Sequence, residues 1–258
     1  SHGPMLLGTS LNLLLYGISI TQTYLYWNRF RNKDKLHVKV FVGFLFIADT
    51  LQTLFTVIYM YQALVVNFGD FDYLMKVTWV FSTDPALGGI INGCVQSFFA
   101  WRVLVLTGAK SIVLLIAFLT VVGVLAAIGT AIACGIVGKF LQFWKFRSVV
   151  IVWLASCTLS DIIIATVLVM YLRKKRTGFP ATDSQLDKII RLTIQTGMFT
   201  CRKIFFLSTT DLVFYLSISV QWHLLLNFPL SKLYTNSLMS SLNNRMVWKN
   251  AEDCIDGS

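Results

Sequence analysis

The sequence predicts an all-α integral membrane bundle of seven transmembrane helices, with the amino terminus outside and the carboxyl terminus in the cytosol. Three observations lead there. The 258-residue chain is 56% hydrophobic and only 13% charged, whereas a soluble domain carries about a quarter charged residues. Its apolar residues gather into seven runs, five of which cleanly meet the length of about 20 mainly apolar residues needed to cross a bilayer, the sixth being interrupted by charges and the seventh carrying a lysine. Its lysines and arginines fall mainly in alternate links, the pattern that sets membrane orientation.

The first run, residues 5–27, has no basic leader and no small-residue cleavage site. It is therefore expected to remain as a helix, unlike a signal peptide. Runs 38–66, 77–104, 111–137 and 148–172 follow, the third carrying Asp84 just before the helix-bending Pro85. The sixth, 188–219, is interrupted by Arg202 and Lys203. Before it, "TDSQ" supplies Thr182 as an N-cap and Gln185 as its capping-box partner, so this helix is expected to begin in the cytosol. The seventh, 222–243, holds Lys232 near its middle and Pro229 as a bend in its outer part. No link is long enough for a soluble domain, so residues 1–245 are expected to form one membrane domain and 246–258 a short cytosolic tail. No duplicated half of the transporter kind is visible.

Orientation follows from the links. Those after the first, third and fifth runs, together with the tail, hold fifteen lysines and arginines; the opposite side holds four, Lys76, Lys139, Lys145 and Arg147. The richer side is expected to be cytosolic. These basic residues account for the net charge of +10. They cluster between apolar runs with few aromatics interleaved, so a nucleic-acid partner is not expected. The five cysteines lie inside apolar runs or in the tail, with no CxxC spacing, and neither a structural disulfide nor a zinc site is expected. With one glutamate, Glu252, three scattered histidines, no GxSxG and no phosphate-binding glycine loop, enzyme activity and a cofactor are not expected either.

Charges inside the runs are the informative residues, because a charge at mid-bilayer faces the bundle interior and finds a partner. Half of a roughly 30 Å hydrocarbon core takes about ten residues of helix. Lys232 lies about ten residues from the outer end of its run and Asp49 about ten from the inner end of the second, so these two are expected to pair. By the same count Asp161 and Arg202 form a second pair. Asp84 and Asp211 are expected to line an outward-facing pocket. Lys232, Asn236 and Ser240 share one helix face, extended by Asn243. Such a polar stripe suits a hydrated seam, interhelical hydrogen bonds, or simply close helix approach by small residues. Gly88, Gly89 and Gly93 read as helix-packing positions. Arg102 and the cluster Arg173, Lys174, Lys175 and Arg176 form a cytosolic basic rim, facing anionic lipid or a signalling partner.

The stretches "LLLYGISITQTYLYW", "FIADTLQT", "QSFFAWRVLVLT", "DIIIATVLVMYLRKKRTGFPATD", "IIRLTIQTG" and "PLSKLYTNSLMSSLNNR" run in order over about residues 6–245. In them the chain resembles a large family of uncharacterised multi-pass membrane proteins of mushroom-forming fungi, marked by a carboxyl-terminal domain of unknown function. The resemblance implies a seven-helix membrane protein and brings no activity, ligand or site residue. "FTCRKIFFLSTTDLVFYLS" departs from the uninterrupted apolar sixth helix of that family, through local divergence or a mis-spliced gene model. Seven helices with an outside amino terminus also resemble G-protein-coupled receptors in topology, but the DRY and NPxxY motifs are missing.

The expected function is therefore receptor-like. A small molecule would enter from outside near Asp84 and Asp211, and a cytosolic partner would read the basic rim, with the plasma membrane as the expected location. The alternatives are a small-solute or proton-coupled transporter using Asp49, Asp161 and Lys232, and a structural or lipid-organising membrane protein.

Overall fold

The computed structural model describes residues 3–31, 34–70, 73, 76–138, 147–174, 210 and 220–243, with the backbone alone at 172–174 and 220–224. The architecture is all-α. In chain order it comprises α1 (Gly3–Phe30), α2 (Leu36–Tyr61, continued by a π-helical turn Gln62–Val66), α3 (Trp79–Thr107), α4 (Lys110–Val137), α5 (Arg147–Lys174) and α6 (Val220–Asn243). Helices α1 to α5 correspond to the first five apolar runs and α6 to the seventh. The sixth run, with Arg202 and Asp211, lies outside the described residues apart from position 210.

Five helices, α1 to α5, are long and apolar enough to cross a membrane. Even the shortest of these spans, Arg147–Tyr171 with 25 residues, exceeds a roughly 30 Å hydrocarbon core at 1.5 Å per residue. Burial is inverted relative to a protein in water. Leu14, Leu114 and Phe118 are 63–73% exposed, while Ser19, Asp49 and Lys232 are fully buried. Hydrocarbon is the solvent that accommodates such a surface, because it forces polar groups inward to find partners. Helix α6 is the polar exception in composition and does not reach the apolarity of the other five. Ser231, Lys232, Thr235, Asn236, Ser237 and Asn243 are all buried within the bundle, so α6 meets protein where the other helices meet lipid.

Local chemistry sets the helix ends. The Thr78 hydroxyl accepts from the Phe81 amide at the start of α3, an N-cap. Gly108 and Gly138, at φ 67° and 63°, close α3 and α4 in the left-handed conformation that suits glycine. The Gly138 carbonyl then accepts from the Val77 amide at 2.9 Å, tying the end of α4 to the approach of α3. Pro85 and Pro229 lie within helices that continue through them.

From α1 to α5, consecutive helices pack side by side; α3 also touches α5 and α6, and α6 closes onto α1 and α2. Helices α3 and α4 approach closely at two glycines. A Cβ at Gly89 would lie 2.3 Å from Ala127 Cβ, and one at Gly93 would lie 2.4 Å from Val124 Cγ2. Hydrogen-bond register gives the directions. The pairs Asn236–Leu15 and Asn243–Gln22 advance together, making α1 and α6 parallel. Asn92–Cys157 and Gln96–Asp161 make α3 and α5 parallel. Arg102 meets Ser241 while Asp84 lies beside the cavity that Ser231 lines, so α3 and α6 are parallel as well. Two apolar clusters fill the bundle, one around Leu45, Ile91, Val95 and Leu238, the other around Phe81, Trp153, Leu154 and Phe228. Polar side chains meet between and beside them.

Candidate functional site

The polar centre is built on Lys232. Its ammonium lies 3.0 Å from Asp49 Oδ1, donates to the Asp49 carbonyl at 2.8 Å, and reaches Gln52 Oε1 at 3.3 Å. Three acceptors match the three protons of an ammonium. Ser19 Oγ donates to the other carboxylate oxygen of Asp49 at 3.3 Å, and the Tyr16 ring centroid lies 5.9 Å from the Lys232 nitrogen, within cation–π range. Helices α1, α2 and α6 are thus joined at one point, buried apart from the half-buried Tyr16.

Gln52 extends the centre to α3. Its amide oxygen accepts from Lys232 and, at 2.7 Å, from Ser231 Oγ; its amide nitrogen donates to Asp84 Oδ1 at 2.9 Å. The neighbours fix this orientation, since only an oxygen suits the ammonium and only an N–H suits the carboxylate. Asp84 is buried here, beside the polar core.

Asp161 anchors a second set. It accepts from the Tyr234 hydroxyl and, at 3.0 Å, from Gln96 Nε2. Gln96 Oε1 accepts from Thr120 Oγ1 at 3.2 Å, so one chain of hydrogen bonds crosses α4, α3, α5 and α6. The partner expected for Asp161, Arg202, lies outside the described residues.

The polar face of α6 turns largely toward α1. Asn236 Nδ2 donates to the Leu15 carbonyl at 3.0 Å and Asn243 Nδ2 to the Gln22 carbonyl at 2.9 Å, while Asn12 of α1 donates back to the Phe228 carbonyl at 2.9 Å. Ser240 on the same stripe is half-buried. Near the carboxyl-terminal end of α6, Arg102 Nη1 donates to Ser241 Oγ at 2.6 Å, so this rim residue joins α3 to α6. The side chains of Arg173 and Lys174, and all of Lys175 and Arg176, lie outside the described residues.

Two cavities adjoin these networks. An apolar groove of ≈ 730 Å³ opens on the face of α2, α3 and α4, lined by Phe41, Gly93, Phe98, Trp101 and Val124, with His37 among its lining residues. Thr120 lines it too, so the Gln96–Asp161–Tyr234 chain starts at the groove wall. A much smaller cavity, ≈ 20 Å³, lies among α2, α3, α5 and α6 beside Asp84. Cys94, Cys134 and Cys157 are free thiols.

Gln52, Gln96 and Tyr234 carry much of this geometry and do not stand out among charges. The available signal was spacing: Asp49, Gln52, Thr53 and Thr56 fall at i, i+3, i+4 and i+7, a polar helix face inside an apolar run.

Residues 157–247 match the family described as "Family of unknown function (DUF6534)". No curated protein and no solved structure matches the chain. The match takes in Asp161, Lys232, Tyr234 and Asn236, while Asp49, Gln52 and Asp84 precede it.

Proposed function

We propose that this chain is a seven-helix, receptor-like membrane protein whose ligand is lipophilic and enters from the bilayer. The observation that carries the reading is the ≈ 730 Å³ apolar groove on α2, α3 and α4, a volume within the usual range of small-molecule sites. Among the described residues, no comparable chamber reaches Lys232, which is fully buried with its acceptors in place. This argues for entry from the membrane and against the watery outer pocket expected from Asp84 and Asp211. An occupant pressing on Thr120 acts on a side chain bonded to Gln96, and through Gln96 and Asp161 on Tyr234 of α6. The Arg102–Ser241 contact between α3 and α6 is the element such a shift would bias. Seven helices are supported by direction. Because α5 and α6 are both parallel to α3, the chain between them has to cross the bilayer an odd number of times. The basic-residue bias supports an outside amino terminus and a cytosolic partner surface.

Photoactivatable fatty-acid and sterol probes in reconstituted membranes test the site. Labelling is expected to concentrate on α3 and α4 peptides around Gly93–Trp101 and Thr120–Leu125, and to fall in Ser97→Trp and Val121→Trp, which fill the groove from exposed positions. Uniform labelling of every lipid-facing helix would overturn it. Ligand-dependent hydrogen exchange at the carboxyl-terminal ends of α3 and α6 tests the signalling half.

A structural or lipid-organising role is the second reading, favoured by the complete satisfaction of Lys232. It predicts the same labelling without any change at the helix ends. Coupled transport requires solute or proton flux in proteoliposomes that disappears in Lys232→Met.

A further inference from the structure

The apolar groove on α2, α3 and α4 differs between its two ends. The stacked rings of Phe41 and Phe98, with centroids 6.0 Å apart, set α2 and α3 level with each other. His37, a turn before Phe41, and Trp101, about a turn after Phe98, therefore lie together at the end where α2 starts. Ile90, Val124 and Leu125 lie at the other end. Between Ile90 and Trp101 the groove follows α3 for about 16 Å at 1.5 Å per residue. Polar groups along it are few, and most are spent. Ser97 Oγ donates to the Gly93 carbonyl at 2.7 Å, and Thr120 Oγ1 serves Gln96 Oε1 and the Ile116 carbonyl. Cys94 offers only a weak thiol. The donors left over are the His37 ring and the Trp101 indole N–H, both at the α2-start end and neither hydrogen-bonded among the described residues. Charge at that end favours an anion. Among the described residues no carboxylate lines the groove, and Asp34, the nearest along the chain, accepts from Tyr26 of α1 at 2.9 Å. Lys110, exposed, stands three turns before Val121 on the same face of α4, beyond the same end. The start of α2 brings the positive end of its dipole there, and Lys35 makes no side-chain cap bond to it.

We propose that the occupant of this groove is a long-chain fatty acid, with its carboxylate at His37 and Trp101 in the field of Lys110 and its tail running toward Ile90 and Val124. This rests on the groove being the ligand site and adds the chemical class of the ligand. At about 25 Å³ per carbon, the ratio set by benzene in an engineered cavity, ≈ 730 Å³ takes about thirty heavy atoms. That holds one acyl chain with its head and is too little for a two-chain phospholipid. A sterol fits by volume, but its neutral hydroxyl leaves the positive end of the groove without a counter-charge.

The purified full chain in phosphatidylcholine nanodiscs is labelled with two palmitate probes, one carrying a diazirine at the tail end and one near the carboxyl group, and with the methyl ester of each. The tail probe is expected to mark residues 90–93 and 124–125, and the head probe the peptides around His37 and Trp101. Unlabelled palmitate should compete, whereas methyl palmitate and cholesterol should not. His37→Leu should weaken competition by palmitate roughly tenfold, the loss of one hydrogen bond to a charged group, and Lys110→Gln should weaken it to a smaller extent. Weak background labelling by the esters should stay the same in both variants, which shows that they fold. Groove labelling by acid and ester alike, or equal competition by cholesterol, overturns the fatty acid while the groove stands as a lipid site. Head and tail labels in reversed positions overturn it as well. Absence of groove labelling by every probe overturns the fatty acid and the groove together.

Discussion

At Lys232 the side-chain nitrogen is fully buried among the described residues, and its stability rests on a carboxylate 3.0 Å away, a backbone carbonyl and an amide oxygen. Removing one member of such a pair leaves the other charged and stranded, at about 3–5 kcal/mol. Lys232→Met and Asp49→Asn are therefore each expected to destabilise the purified protein by about 3 kcal/mol. The double change should be less harmful than the sum of the two, as read by thermal or denaturant unfolding in nanodiscs. Strict additivity would mean that the two residues act separately. Depth along a helix made this pairing legible in the sequence, since two charges at the same level of a bilayer have few other places to go. The amides were not legible in that way. A glutamine in an apolar run has no charge to balance, and its importance at Gln52 and Gln96 comes from bridging acids on other helices, which chain order does not show.

At the scale of a helix pair, two different devices bring neighbours together. Helices α3 and α4 meet through absent side chains. Gly89 faces Ala127, whose Cβ is fixed to its backbone and cannot rotate away from an added methyl 2.3 Å distant. Gly89→Ala should cost about 1–3 kcal/mol through overpacking, and Ala127→Gly placed with it should recover much of the loss; unfolding of the single and double variants checks this. Helices α1 and α6 meet through side-chain amides on backbone carbonyls. Asn236→Ala and Asn243→Ala each remove one such bond. Each should cost about 0.6 kcal/mol, the average for hydrogen bonds between membrane helices, a loss seen as a small drop in melting temperature. Sequence periodicity located the helices well, because a bilayer demands length and apolarity that few other structures need. It left the polar stripe of α6 open between a wet seam and interhelical bonds. That choice depends on which helix stands opposite, and α1 lies more than two hundred residues away in the chain.

Over the whole molecule, direction constrains more than hydropathy does. Hydropathy alone leaves α6 outside the set of apolar spans, because its buried face is made of serine, threonine and asparagine. Direction adds a separate fact: α6 is parallel to α1, α3 and α5. The end of α5 and the start of α6 therefore lie at opposite ends of the bundle, as the proposed sixth crossing requires. If residues 188–219 make that crossing, a tag inserted near residue 180 and one at the carboxyl terminus are reached from the same side. A tag near residue 220 is then reached from the other side, together with the amino terminus. In the proposed orientation the first side is the cytosolic one. Protease protection of epitope-tagged chains in sealed vesicles reads each position separately. Finding the tags near 180 and 220 on one face would remove the sixth crossing. It would also break the parallel pairing of α5 with α6, on which the Asp161–Tyr234 contact depends.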